Sequence, residues 1–288
     1  QVILATKFGW YMGEGVNDYG AGRHHILRAC EDSLRKLQTD HIDLYILHVV
    51  DPNSPWDETL RALDDLVRQG KVRHIACSKH PASLILESLH TSEIRGLERF
   101  VSEQPPYNLL DRTAENELIP TCRRHNVAIT PFAPLAGGLL SGKYQPGQKP
   151  ESGRHAKSNV DEGDILTRAA LEAVEQLGPI ARDMDITLSE LSLAWLMQQP
   201  GVTSAILGVR KLEYLKSGLK ACHVSLSDEV LQRIDDIVPP GSRVSNYYEA
   251  FIYRAYRQNY NASARQGKGA GAFIPRHSTG SGPKDKGH

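Results

Sequence analysis

Two short apolar runs each finish on a titratable side chain. Val2-Ile3-Leu4-Ala5-Thr6 ends in Lys7, and Asp43-Leu44-Tyr45-Ile46-Leu47 ends in His48. Strands followed by helices set their carboxyl ends on one face, and in a closed β/α barrel that face holds the chemistry. Lys7 and His48 therefore point to one shared, proton-exchanging site. Alternation along the second run puts Leu44, Ile46 and His48 on the same side. The four cysteines, Cys30, Cys77, Cys122 and Cys222, show no paired spacing. They read as reduced thiols, with neither a disulfide frame nor a metal site implied.

The elements that must position these groups recur in order. β-rich runs occur at residues 2–6, 43–48, 73–77, 100–104, 127–132 and 203–207, and amphipathic helical segments follow them. Residues 23–38 place Ile26, Leu27, Cys30, Leu34 and Leu37 at helical spacing, leaving Arg28, Glu31, Asp32, Arg35 and Lys36 for solvent. A second helix is expected to start with Ser54 as N-cap and Pro55 at the first helical position, to bury Leu60, Leu63, Leu66 and Val67, and to stop at Gly70. Residues 113–125 read as one further helix closed by Asn126. Residues 145–163, rich in Pro, Gly, Ser and charge, read as a long loop, followed by helices at about 165–184 and 189–199. Pro239-Pro240-Gly241 closes the last helix. Residues 249–288 read as a C-terminal extension, Tyr/Arg-rich at first and disordered from about residue 261.

With 288 residues, one large core is the expectation, since barrels of roughly 250 residues fold as single domains. Lys plus Arg and Asp plus Glu balance at 34 each, so no global field attracts nucleic acid or an anionic membrane. The apolar stretches fall short of the ~20 residues that span a bilayer. A cytoplasmic α/β protein is expected. Six strands against the eight of a barrel leave two βα units to be sought before Gln1, whose position inside a strand pattern suggests an upstream start. Two open sheet edges would then invite aggregation.

In this arrangement residues 2–248 resemble the aldo-keto reductase superfamily. The motifs are Ala5-Thr6-Lys7-Phe8-Gly9, Ser33-Leu34, Thr39-Asp40-His41-Ile42-Asp43-Leu44-Tyr45, Leu47-His48, Gly70-Lys71-Val72-Arg73, Glu103-Gln104-Pro105-Pro106-Tyr107-Asn108, Pro134-Leu135-Ala136-Gly137-Gly138-Leu139-Leu140 and Gly142-Lys143-Tyr144. Each motif is weak alone, and their order makes the joint signal strong. The branch that the chain resembles includes aryl-alcohol dehydrogenase-like enzymes and the β-subunits of voltage-gated potassium channels. The resemblance implies a (β/α)8 TIM barrel, with six βα units readable.

It also implies hydride transfer between NADP(H) and a small carbonyl or alcohol substrate. A developing oxyanion then needs a proton donor and fixed dipoles. Lys7 and His48 match the family's catalytic lysine and histidine. The tyrosine and aspartate of the family lie in a motif before the lysine strand, and no such motif precedes Lys7 here. Asn17-Asp18-Tyr19-Gly20 follows that strand, so Asp18 and Tyr19 inherit no role, and Tyr11 is read as pocket cover.

For the cofactor, the resemblance assigns Ser78 and Gln104 to the nicotinamide carboxamide, and Phe132 to its ring. Ala133, Pro134, Leu135, Gly137 and Leu139 fall at the pyrophosphate, and Gly208 and Arg210 at the 2′-phosphate of NADP. Ser217 and Gly218 occupy adenine-contact positions where the family usually has other residues, as does Tyr214. Lys79 replaces an asparagine, and a cation there opposes an oxidised nicotinamide. The expectation is an NADPH-dependent carbonyl reductase, weakly active or inactive over this span. The alternatives are a non-enzymatic NADP(H)-binding regulatory subunit and a truncated fragment.

Overall fold

A computed structural model describes residues 2–13, 15, 17–144 and 167–245. Its strands are β1 (Ala5–Phe8), β2 (Ile42–Leu47), β3 (Val72–Ser78), β4 (Phe100–Gln104) and β5 (Ala128–Ile129). They form one parallel sheet in the order β1-β2-β3-β4-β5. The helices are α1 (Arg23–Leu37), α2 (Trp56–Arg68), α3 (Ala82–Arg95), α4 (Leu118–Arg124), α5 (Arg168–Asp183), α6 (Leu188–Gln198), α7 (Leu212–Ala221) and α8 (Asp228–Ile237). Strict alternation of strand and helix through β5 is what produces a parallel sheet. Tyr45, Ile46 and Leu47 are all buried, because helices and neighbouring side chains cover both faces of β2.

Local signals explain most boundaries. Helix α1 ends where Gln38 turns left-handed, at φ 54°. Ile26, Cys30 and Leu34 are buried as the spacing requires, while Leu37 in the last turn stays 42% exposed. Gly70 follows α2 at φ +73°, a conformation that glycine adopts without a Cβ clash. In α6, Thr187 accepts from the Glu190 backbone N–H at 3.2 Å and Glu190 accepts from the Thr187 N–H at 2.8 Å, a complete capping box.

Three expectations are corrected. Ser54 is not the N-cap of α2: its hydroxyl donates to Asp51 at 2.7 Å. Pro55, at ψ 142°, takes the cap position instead. Residues 113–125 are not one helix but a 3₁₀ turn, Thr113–Glu115, and then α4. Pro120 lacks the N–H that a longer helix would need, so it fits only the first turn of α4. Finally, residues 203–207 form no continuous strand. Val202 bridges Ile129 in parallel, Thr203 N–H donates to the Ile129 carbonyl at 2.8 Å, and Ile206 N–H donates to the Pro131 carbonyl at 2.9 Å. Pro131 has no N–H to return, so the ladder is interrupted. Five strands and this bridge are therefore seen among the described residues.

The core fills the space between sheet and helices. Leu60, Leu63 and Leu66 of α2 are fully buried. Phe8 stacks on Tyr45 with centroids 4.5 Å apart, and the Tyr45 hydroxyl donates to the Ile26 carbonyl at 3.1 Å. At the other side Tyr107 packs against Trp195 at 5.4 Å. Arg112 lies over the same indole at 5.0 Å and bonds Glu115, Asp235 and the Val238 carbonyl, clamping the start of the 3₁₀ turn to α8. Among the described residues, β1 pairs with β2 alone, and no helix is long and apolar enough to cross a membrane. The loop expected at 145–163 and the extension at 249–288 lie outside the described residues.

Candidate active site

The carboxyl ends of β1, β2 and β3, together with the segment after β5, converge on Lys79. Its ammonium donates to the His48 carbonyl at 3.3 Å, lies 5.8 Å from the Trp10 ring and lies 5.4 Å from the Phe132 ring. The Trp10 ring is in turn 5.7 Å from the His48 imidazole. Lys7 is half-buried and close enough for its charge to act on both His48 and Lys79. One polar mouth is thus lined by residues that are far apart in sequence.

Burial and like charge set the protonation states. Burial lowers the pKa of Lys7, and among the described residues no carboxylate forms an ion pair with it. His48 is pushed down to about 4, first by burial and then by Lys79 and Lys7, so it is neutral at pH 7. Lys79 is lowered to about 8 by burial and Lys7, with Glu103 opposing. Its backbone is left-handed, at φ +64°. That region disfavours lysine and tolerates asparagine.

The other residues expected at a nicotinamide end are present, with altered freedom. Ser78 is fully buried and its hydroxyl donates to the Gln104 carbonyl at 2.9 Å, following the β3–β4 register that pairs these two residues. The Gln104 side-chain oxygen is buried without a hydrogen-bond partner among the described residues. Phe132 is partly buried and is held by its N–H to the Pro105 carbonyl at 3.0 Å.

Beyond Phe132 the chain coils tightly. Ala133 and Ala136 have φ of 54° and 47°, and Gly137 and Gly138 follow at 67° and 106°. Asn108 donates to the Ala133 carbonyl at 3.2 Å, Pro134 and Leu139 are buried, and Leu135 accepts the Gly138 N–H at 2.7 Å. A Cβ on Gly138 would meet the Lys143 ammonium at 3.3 Å. Lys143 therefore sets a positive charge on the coil.

The last segment is less enclosed. Gly208 and Arg210 are exposed, and Arg210 has no ion-pair partner among the described residues. Ser217 donates to Glu190 at 3.4 Å, which is an internal structural contact. Gly218 packs beneath Leu207, where an added Cβ would come within 2.7 Å of a methyl. Tyr214 is 53% exposed.

The Tyr11 and Tyr19 rings pack against each other at a tilt, centroids 4.6 Å apart, and Asp18 pairs with Arg28 at 2.9 Å. Sequence reasoning missed Trp10 and Lys143 as contributors to the site. Both stand beside matched motifs, Trp10 after Phe8-Gly9 and Lys143 in Gly142-Lys143-Tyr144, so adjacency was the available signal.

Comparison with known proteins identifies the family. The family model for the aldo/keto reductase family matches residues 1–239. The oxidoreductase YrpG of Bacillus subtilis is 35% identical over 253 residues, covering 86% of this chain and 76% of that protein. A probable voltage-gated potassium channel subunit beta of Arabidopsis thaliana is 32% identical, over 82% of this chain and 74% of that protein. L-glyceraldehyde 3-phosphate reductase of Escherichia coli K12 is 30% identical, over 84% and 71%. With this barrel-type βα order, the chain belongs to the aldo/keto reductase family of oxidoreductases.

Proposed function

We propose that this chain binds NADP(H) across the carboxyl ends of its strands and that, over these 288 residues, it reduces small aldehydes or ketones weakly or not at all. The supporting observation is the convergence of Lys7, His48, Lys79 and Phe132 on one mouth, with Lys7 lacking a carboxylate partner among the described residues. When bound, the cofactor supplies hydride. The buried, unpartnered Gln104 oxygen suits an amide donor such as the nicotinamide carboxamide, since a buried acceptor left unpaired is costly. Arg210, exposed and without an ion-pair partner among the described residues, offers a guanidinium for a 2′-phosphate, and Lys143 stands over the coil at 133–139 for pyrophosphate.

Lys79 fits this reading least. Its cation covers the Phe132 ring where the nicotinamide would lie, so it must swing outward when an oxidised ring enters. His48, neutral at pH 7, can orient a carbonyl oxygen without competing for its proton. Lys7 would tune a tyrosine donor, and no motif for that donor precedes it in these 288 residues. Substrate would be a small molecule at the strand ends, with the protein in the cytoplasm.

Lys79 also favours a second reading, a regulatory NADP(H)-binding subunit, in keeping with relatives named as channel beta subunits. Titrating the chain with NADPH while following tryptophan emission, alongside turnover of a simple aldehyde, separates the outcomes. Saturable quenching with little turnover supports the proposal. Absence of quenching would sink the cofactor assignment, and brisk turnover would sink the weak-activity claim.

A further inference from the structure

Behind the mouth, one ring nitrogen of His80, the Cys77 sulfur and a Glu103 carboxylate oxygen lie within 4.8 Å of one another. All three residues are buried, at 2%, 0% and 0% exposure. Among the described residues this is the one grouping of three such side chains within ligand reach. No role at the cofactor mouth absorbs it.

The polar atoms of the cluster are incompletely used. Glu103 accepts the His80 backbone N–H through one oxygen at 3.1 Å, and its carboxyl also hydrogen-bonds with the Cys77 thiol, which sets sulfur and carboxyl side by side. The Nδ1 of His80 faces the Ser78 carbonyl at 2.9 Å, which fixes the tautomer with the proton on Nδ1. Nε2 then keeps its lone pair, and it is buried without a hydrogen-bond partner among the described residues. An unpaired buried imidazole nitrogen beside a thiol and a carboxyl needs a physical explanation. A histidine whose other nitrogen donates to a backbone carbonyl is how proteins orient an imidazole ligand toward a metal. Tryptophan and phenylalanine rings hold that imidazole, with Trp56 at 5.8 Å and Phe100 at 6.4 Å.

We propose that Cys77, His80 and Glu103 form a buried binding site for a divalent transition metal of the zinc class. The donor set, thiolate, imidazole and carboxylate, is one that zinc takes, with a water from solvent as the fourth ligand of a tetrahedral site. Ligand atoms around such an ion stand roughly 3.5 Å apart, so the side chains close in slightly on binding. Coordination forms the sulfur–metal bond and releases the Cys77 thiol proton to solvent, along with the Glu103 proton where that carboxyl is protonated. The thiolate and carboxylate together neutralise the dication. Neighbouring Lys79 then meets no net positive charge. The site would brace the β3–β4 end that carries Ser78 and Gln104.

The test uses the 288-residue chain carrying Cys222→Ser, which removes the exposed thiol. The chain is refolded from denaturant with and without Co²⁺, then challenged with Zn²⁺. The expected result is one equivalent of cobalt, a thiolate-to-cobalt charge-transfer band that zinc abolishes, and a melting temperature raised by either ion. Cys77→Ser in that background should remove the band, and Glu103→Gln should weaken binding at least about tenfold. No band in the Cys222→Ser chain overturns the proposal even if further variants fail to fold. A band that survives Cys77→Ser overturns it equally.

Discussion

The Lys79 ammonium stands 5.4 Å from the centre of the Phe132 ring. The left-handed backbone at Lys79 aims the side chain there, and the His48 carbonyl at 3.3 Å receives it. A cation thus occupies the face of the aromatic ring on which the cofactor reading depends.

Lys79→Asn should tighten binding of oxidised NADP⁺ by about tenfold or more and leave NADPH nearly unchanged. The oxidised ring carries a positive charge and the reduced ring does not, and like charges about 5 Å apart at a partly buried site cost more than 1 kcal/mol. Asparagine also tolerates positive φ better than lysine, so the melting temperature should rise slightly. Paired titrations with the two redox forms check this, and equal changes in both would contradict it.

Arg210→Ala should lower affinity for NADPH roughly tenfold and barely affect NADH, because only the former offers the extra phosphate to a guanidinium. The exposure of Arg210 predicts little loss of stability. The ratio of the two dissociation constants is the readout. Parallel losses with both nucleotides would place Arg210 elsewhere.

His48 makes stability depend on acid. Its pKa is about 4 when folded, against about 6.5 for an ordinary histidine. Between those values the unfolded chain binds the extra proton, so stability is full above pH 6.5 and falls as pH drops toward 4. The contribution is of order 1–3 kcal/mol. His48→Gln should flatten the fall, measured as the difference in melting temperature between variant and parent across that window.

Arg112→Ala should cost about 3 kcal/mol, seen as a lower urea midpoint, because it strands Glu115 and Asp235 and uncovers the Trp195 ring. Arg168→Ala, at an exposed helix pair with Glu172, should cost under about 0.5 kcal/mol. Similar losses in the two variants would show that the buried clamp adds nothing special.

Sequence by itself determined the order of strands and helices, the boundaries of α1 and α6, and the family motifs. These are local matters: apolar periodicity, capping residues and glycine at turns act within a few residues of where they are read. Lys7 and His48 were legible as strand-end groups for the same reason. Pairing and packing lie beyond local pattern. The split of residues 113–125 and the interrupted ladder at 203–207 both turn on proline N–H groups that a neighbour would have needed.

Only the tertiary structure decided what Lys79 touches, that Ser78 spends its hydroxyl on the Gln104 carbonyl, and that Lys7 has no described carboxylate beside it. It also gathered Cys77, read from spacing as a lone reduced thiol, with His80 and Glu103. The physical reason is the β3–β4 register. Hydrogen bonds between parallel strands set Cys77 opposite Glu103 and Ser78 opposite Gln104, and no property of either strand alone specifies that alignment.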